Sequence, residues 1–534
     1  MLLANYFGEN IDQQQGEIMS AAYLNPKYSL PKKARMLPHL PPNSQHRRLV
    51  VVSNRLPVKF TNDGQAELSS GGLVTAMVPV LNKRGGLWLG WPGTWGDLGP
   101  ELDKFSQGRP YSLQPVTLTR EDMEGFYTGF ANQVLWPLFH GFQTKCVFDS
   151  CFWDAYERVN AIFAREVTAN SSANDYIWIH DYHLINVAQK IKQSGASREC
   201  GFYLHIPFPP PDIFLQLPWR KEILAGLLEY DLLGFQTQWD LDNFLRTVKT
   251  LFPESGISPS HPLSRVKLGG QRTKAGSFPI SIDFDEFSKQ AATPEPGSMG
   301  PDHIAEQQTA LGVDRLDYSK GIPERLKAFR LALEQYPELR KKISLVQIVV
   351  PSREDVDEYQ RLKKEIERLV GEINGEYATL DWTPVQYLYR SLPRQELVSR
   401  YDQADMALIT PLRDGMNLVA KEYCACKNSL AGVLILSEFA GAATQLKSEV
   451  LTVNPCDINS LAHAIHQACT MPLQERKRRM RAARQKIKSQ DIYWWLDSFL
   501  AAALRKGEVR LRTRERPKLS LRAANNFAHK AISV

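Results

Sequence analysis

Two short stretches hold residues of the kind that handle anions and sugars. GVDRLDYSKG (312–321) sets Arg315 and Lys320 five positions apart, just past an apolar run and at the entry to a helical pattern. Two fixed cations beside a helix N-terminus suit a diphosphate, through charge-assisted hydrogen bonds and the helix dipole. Taken alone, they read equally well as a surface arginine and lysine. LRDGMNLVAKEY (412–423) follows a second apolar run, DMALITP. Gly415 there permits close backbone approach to a ligand. The N–H groups of Met416, Asn417 and Leu418 fall where a starting helix leaves donors unpartnered. Asp414 can bond sugar hydroxyls, with helix capping as its plain alternative. Glu422, eight positions on, can grip the two hydroxyls of a ribose.

Such residues need rigid elements behind them. Short apolar runs (RLVVVSNR, LWLGW, DYIWIHDYH, GFYLHIPF, YDLLGFQT) alternate with amphipathic helical patterns such as FWDAYERVNAIFAREV and LDNFLRTVKTLF. A hairpin-like stretch and the Pro/Gly-rich AATPEPGSMGPD interrupt the alternation, which resumes with TALGVDRL, ISLVQIVVPS, DMALITP, GVLILSE and EVLTVNP. Strands alternating with helices predict mostly parallel, doubly wound sheets. The expected organisation is a flexible extension over 1–46, a Rossmann-like domain over 47–285 and a second over 304–490. A closing helix at 491–504 and a basic tail at 505–534 complete it. Two such domains facing one another make a cleft between the carboxyl ends of two sheets, where ligands bind.

Bulk properties narrow the class. A chain of 534 residues exceeds one compact core. Its 43% hydrophobic and 23% charged residues are those of a globular protein, and no apolar run reaches membrane-helix length. The N-terminus has no basic region followed by an apolar core, so no secretory signal is expected. Seven scattered cysteines without CxxC pairs fit reduced thiols in a cytoplasmic protein, neither a disulfide framework nor a zinc site. The formal charge of +7 is matched by the tail alone, where nine Lys/Arg face two Glu between Arg505 and Val534. A nucleic-acid enzyme would carry its basic field on the folded body, so no nucleic acid partner is expected, and no membrane.

Over roughly 47–500 the chain resembles the trehalose-6-phosphate synthase family, two-lobed (GT-B) retaining glucosyltransferases that act on UDP-glucose and glucose 6-phosphate. The likeness rests on ten ordered motifs: VVSNRLPV, SSGGLVTA, WLGWPG, YTGFANQVLWPLFH, WIHDYHL, FYLHIPFPPPDIF, GVDRLDYSKG, VVPSREDVDEYQ, PLRDGMNLVAKEY and LSEFAGAA. The resemblance implies that Arg315 and Lys320 hold the diphosphate and Glu422 the ribose. It places Asp414, the backbone from Gly415 to Leu418 (with Met416 and Asn417) and His205 around the donor glucose. Gly72 becomes the glycine that lets the opposite lobe approach the phosphates. Arg55, Trp91, Tyr127, Trp136 and Arg353 match an acceptor pocket in which the arginines and Tyr127 bind phosphate. Asp181 matches a carboxylate on acceptor hydroxyls.

Charge supports a phosphorylated acceptor independently. Arginine suits bidentate phosphate contact, and two converging arginines beside a neutral acceptor would be costly. The resemblance implies front-face transfer, and the motifs supply no second carboxylate placed as a nucleophile. No DxD-type metal motif is expected to stand at the cleft, so no metal is expected to be obligatory, with Mg²⁺ at most stimulatory. A different phosphorylated acceptor, as in glucosylglycerol-phosphate synthases, and a non-catalytic sugar-phosphate-binding homologue are the competing readings. The donor base and self-association into a homo-oligomer are left open by the sequence.

Overall fold

The run RLVVVSNR is apolar and β-branched because it forms an interior strand, Leu49–Arg55, whose first six residues are buried. The computed structural model describes residues 47–504 apart from 61–64, 70, 97, 294–306 and 355. The extension expected at 1–46, the tail at 505–534 and most of the Pro/Gly-rich stretch lie outside the described residues.

The first sheet runs, edge to edge, through Tyr111–Pro115, Gly86–Trp91, Leu49–Arg55, Tyr176–His180, Glu199–Tyr203, Leu232–Phe235, Gln271–Ser277, Leu263–Leu268 and Gly256–Ser258. All pairs are parallel until the last two, which are antiparallel. The second sheet is wholly parallel: Val385–Tyr389, Ile343–Val350, Gln308–Arg315, Met406–Ile409, Val433–Ser437 and Leu451–Val453. Strands buried on both faces need continuous apolar sequence, which is why these runs lack alternation. Each sheet has its own core, one around Val50, Ile177 and Phe202, the other around Ala310, Leu345 and Ile435.

In both sheets the chain starts at an interior strand, builds outward on one side, then returns to build on the other. The reversal lies between Leu49–Arg55 and Tyr176–His180 in the first sheet. In the second it lies between Gln308–Arg315 and Met406–Ile409. Crevices form at the carboxyl ends of strands flanking such reversals. Arg55, Asp181, Arg315 and Asp414 all stand at or just past those ends.

Several elements were not legible as such. The hairpin is real, but its strand Gln271–Ser277 pairs in parallel with Leu232–Phe235 and so extends the first sheet. Val385–Tyr389 is a half-buried edge strand without a full apolar run. The motif YTGFANQVL folds into a π-helix, Met123–Leu135. There Gly125 and Gly129 admit the neighbouring helix Ser150–Asn170, since a Cβ would lie 2.6 Å from Ala155 and 2.5 Å from the Phe152 ring. The helix Phe284–Ala292 packs beside Arg394–Gln403, Leu418–Cys426 and Leu473–Ser489 of the second lobe. The helix Ile492–Leu504 returns to the first, where Trp495 and Phe499 stack on Trp178 at 4.9 and 4.5 Å. The two crossings meet where Ile492 N–H donates to the Ile282 carbonyl at 2.9 Å. Among the described residues no helix is long and apolar enough to cross a membrane, and no group of three His, Cys, Asp or Glu could hold a metal ion.

Candidate active site

Lys320 ends a short 3₁₀ turn, Tyr318–Lys320, that Asp317 caps by accepting from Ser319 N–H at 2.9 Å. Gly321 follows at φ 63°, where a Cβ would sit 2.3 Å from the Thr410 carbonyl. Glycine there lets this loop press against the loop after Met406–Ile409. Leu412 N–H ties the two together by donating to Ser319 O at 2.8 Å. Lys320 Nζ consequently meets Asp414 Oδ2 at 2.6 Å, and both side chains are largely buried. Burial alone would raise the Asp414 carboxyl; Lys320, with help from His140 and Arg315, outweighs it and holds the group below the ordinary carboxylate range. Asp414 does not cap the following helix. It accepts instead from Asn417 Nδ2 at 3.1 Å, and Asn417 itself stands at φ 70° before the helix Leu418–Cys426. The backbone N–H groups of Met416, Asn417 and Leu418 have no protein acceptor among the described residues.

Arg315 is exposed to the cleft, with its guanidinium 5.8 Å from the Trp136 ring of the first lobe. Arg353 reaches the same ring at 4.2 Å. It also donates to Asp317 Oδ2 at 3.3 Å, to Tyr359, and across the cleft to the Tyr182 hydroxyl at 3.4 Å. Burial would raise Asp317, but Arg353, Lys320 and Arg315 together hold it below its ordinary value. Glu422 is part-buried and accepts from the Tyr401 hydroxyl at 3.0 Å; burial raises its carboxyl.

Opposite these groups, Arg55 lies 4.8 Å over the Trp91 ring, and burial lowers its guanidinium. Tyr127 stacks on His183 at 5.8 Å. Trp91 and Trp136 are each only 4% exposed, so they serve the core while edging the cleft. Asp181 accepts from His205 N–H at 3.2 Å, and burial pushes its carboxyl up to about 6. Burial brings the His205 imidazole down to about 3, so it is neutral.

The lobes touch at glycines. A Cβ on Gly415 would lie 2.2 Å from the His205 carbonyl, and one on Gly72 would lie 3.2 Å from Leu418 Cδ1. Among the described residues, three of the five non-glycine residues at positive φ, namely Asp181, Arg353 and Asn417, belong to this cleft. Backbone strain concentrated in one place is typical of functional sites. Sequence reading missed Asp317, Tyr182, Tyr359, His183 and His140. All five lay inside quoted motifs, but only the fold shows Asp317 and Tyr359 clamping Arg353. His140, its ring tilted against Trp136 at 4.2 Å, is lowered by burial to about 4.

Two Rossmann-like lobes presenting cations, carboxylates and unpartnered backbone donors to one shared cleft define a glycosyltransferase of the GT-B type. The sequence model of glycosyltransferase family 20 matches residues 47–505. A bifunctional trehalose-6-phosphate synthase/phosphatase of Thermoproteus tenax is 42% identical over 467 residues, covering 85% of this chain and 63% of that protein. A trehalose-6-phosphate synthase of Mycolicibacterium vanbaalenii is 41% identical over 478 residues, covering 86% of this chain and 96% of the relative. Among solved structures, a UDP-forming α,α-trehalose-phosphate synthase of Burkholderia xenovorans in complex with glucose 6-phosphate superposes with a TM-score of 0.78. It is 35% identical and covers 85% of this chain and 99% of that one. The chain belongs to glycosyltransferase family 20, the family of the trehalose-6-phosphate synthases that its motifs resemble.

Proposed function

We propose that the protein transfers glucose, with retention, from UDP-glucose to glucose 6-phosphate, giving α,α-trehalose 6-phosphate and UDP. The observation that carries this reading is the convergence of cations from both lobes on one cleft. Arg315 and Arg353 reach from the second sheet to Trp136 of the first lobe, where Arg55 ends the strand Leu49–Arg55 over Trp91. One cationic group suits a diphosphate leaving group and the other a phosphorylated acceptor. The similar enzyme from Burkholderia, UDP-forming and holding glucose 6-phosphate, supports the same pair of substrates.

In this reading the first lobe, within 47–285, binds the acceptor and the second, within 304–490, binds the nucleotide sugar. Glu422 grips the ribose, and Arg315 and Lys320 hold the diphosphate, with Gly72 admitting the first lobe beside it. Asp414, His205 and the amides of Gly415 to Leu418 orient the glucose. Arg55, Tyr127 and Arg353 take the acceptor phosphate, Trp91 and Trp136 wall the hexose, and Asp181 accepts from its hydroxyls. The bond from C1 to the diphosphate oxygen breaks, and the acceptor hydroxyl bonds to C1 on the same face. Its proton passes to the departing phosphate oxygen. The protein contributes fixed charge where the diphosphate becomes more negative, and alignment of two sugars. These cations supply the charge a metal would otherwise bring, so a metal is dispensable, and the enzyme works in the cytoplasm.

The test is UDP release from UDP-glucose offered with glucose 6-phosphate, glycerol 3-phosphate or unphosphorylated glucose. Glucose 6-phosphate is expected to give the highest kcat/KM by at least about tenfold, the value of one well-placed charged contact. Preference for glycerol 3-phosphate would reassign the acceptor. No release with any of them would leave only a binding role.

A further inference from the structure

His180 ends the strand Tyr176–His180, fully buried, and its Nδ1 lies 3.0 Å from Nε2 of His205. Burial keeps both rings neutral: His205 is brought down to about 3, and His180 far below its ordinary value. Two neutral imidazoles in contact share one proton, so one ring donates and the other accepts. Had His205 Nε2 the proton, His180 would accept at Nδ1 and carry its own hydrogen on Nε2. That Nε2 is buried and has no protein partner. The ring is packed among Trp178, Tyr203 and Trp495. A buried N–H without an acceptor is among the rarest features of folded proteins, whereas a bare lone pair is tolerated more readily. The favoured arrangement is therefore His180 Nδ1–H donating to His205 Nε2. The remaining proton of His205 must then sit on Nδ1, which has no protein partner among the described residues. His205 is part-exposed at the cleft, directly against Gly415.

We propose that His180 is a positioning residue: it fixes the tautomer of His205 so that Nδ1–H is presented as a hydrogen-bond donor to an oxygen of the transferred sugar. The proposal rests on the assignment of His205 to the donor glucose. The neighbouring residue does the complementary task, because Asp181 holds His205 by its backbone N–H. Two consecutive side chains on one strand end thus set both the ring and the main chain of one sugar-facing residue. A ring free to exchange tautomers would spend part of its time offering a lone pair where a donor is required.

The first measurement is ¹⁵N NMR of histidine-labelled full-length protein, with the His205 signals assigned by their loss in His205→Gln. Protonated and bare ring nitrogens resonate far apart, so the tautomer is read directly. A proton on Nδ1 is expected; a proton on Nε2 overturns the proposal whatever any variant does. The second measurement is kinetic. His180→Phe should lower kcat/KM for UDP-glucose by about tenfold, the effect of one lost neutral hydrogen bond. The affinity for UDP, which lacks the glucose, should move by less than about twofold, since that ligand makes none of the lost contact. His180→Asn, whose amide nitrogen falls where Nδ1 was, should recover activity to within about threefold of the original. Equal losses for UDP and UDP-glucose, or no rescue by Asn, would mean a structural role only and overturn the proposal. Should His180→Phe fail to fold, the spectrum of the unaltered protein still decides. If the unaltered protein released no UDP from UDP-glucose, the assigned reaction would fail, while the tautomer would remain measurable and separately right or wrong.

Discussion

Asp181 shows how one carboxyl can serve function against stability. Its backbone is at φ 76° and burial lifts its carboxyl to about 6. A folded-state value above the unfolded one means that the ionised form is penalised in the fold. Stability is fully present below the ordinary carboxyl range and is lost as pH rises through about 6. Under the proposed assignment of Asp181 to the acceptor, activity needs the opposite state, because only the ionised group accepts freely from acceptor hydroxyls. The expected pH profile of kcat/KM for the acceptor has an acid limb near pH 6 that disappears in Asp181→Asn. That variant should be slower and, at alkaline pH, at least as heat-stable; a flat profile in the unaltered enzyme would contradict the assignment. The two cleft arginines should separate in the same way. Arg315→Ala removes an exposed group, so turnover should drop about 10²-fold with little change in Tm. Arg353→Ala strands the buried Asp317 carboxylate, and unfolding measurements should show a loss of about 3 kcal/mol in addition to lost activity.

At the scale of elements, the loop before Leu418–Cys426 works because it has no side chain where the first lobe passes. Gly415 meets His205 O, and Gly441 in turn meets Gly415 O, where a Cβ would lie at 1.9 Å. Gly415→Ala should therefore force the lobes apart by a fraction of an ångström. Displacing donor from acceptor by that much is expected to cost about 10²-fold in kcat/KM while both cores stay intact. Steady-state kinetics with a parallel thermal melt checks this; undiminished kcat/KM would mean that the contact is not maintained during turnover. The π-helix Met123–Leu135 follows the same logic of close approach. Its two glycines seat it on Ser150–Asn170, carrying Tyr127 toward the cleft and leading directly into Trp136.

For the whole molecule, the proposed reading has cations take the place of a bound metal at the diphosphate, and this has a direct test. Exhaustive chelation should leave most of the UDP release intact, with added Mg²⁺ changing the rate by no more than a few-fold. Complete loss restored by Mg²⁺ would assign the charge-neutralising role to the metal. The lobes are joined by two chain crossings near Ile282 and Ile492, and by direct contacts across the cleft such as Arg353 with Tyr182. A part-buried ion pair, Lys145 with Glu358 at 3.0 Å, also bridges them.

Much of this protein could be read from its residues alone. Continuous apolar runs named most strands, since a parallel strand covered on both faces has no polar side to show. Arg315, Lys320, Asp414 and Glu422 were visible as candidates because diphosphates and ribose demand charge at short, regular spacing after a strand. The edge strand Val385–Tyr389, half wet, had no such signature, nor did the π-helix, whose glycines answer to a partner far along the chain. Asp317, Tyr359 and Tyr182 gained their meaning only when Arg353 was seen among them. The partner that sets the proton on His205 lies twenty-five residues away on a neighbouring strand. Local sequence determines what a segment can form and which ligand chemistry it carries. Which groups come within hydrogen-bond reach, and so which are charged, neutral or donors, depends on burial and on contacts between distant segments, and only the folded chain supplies those.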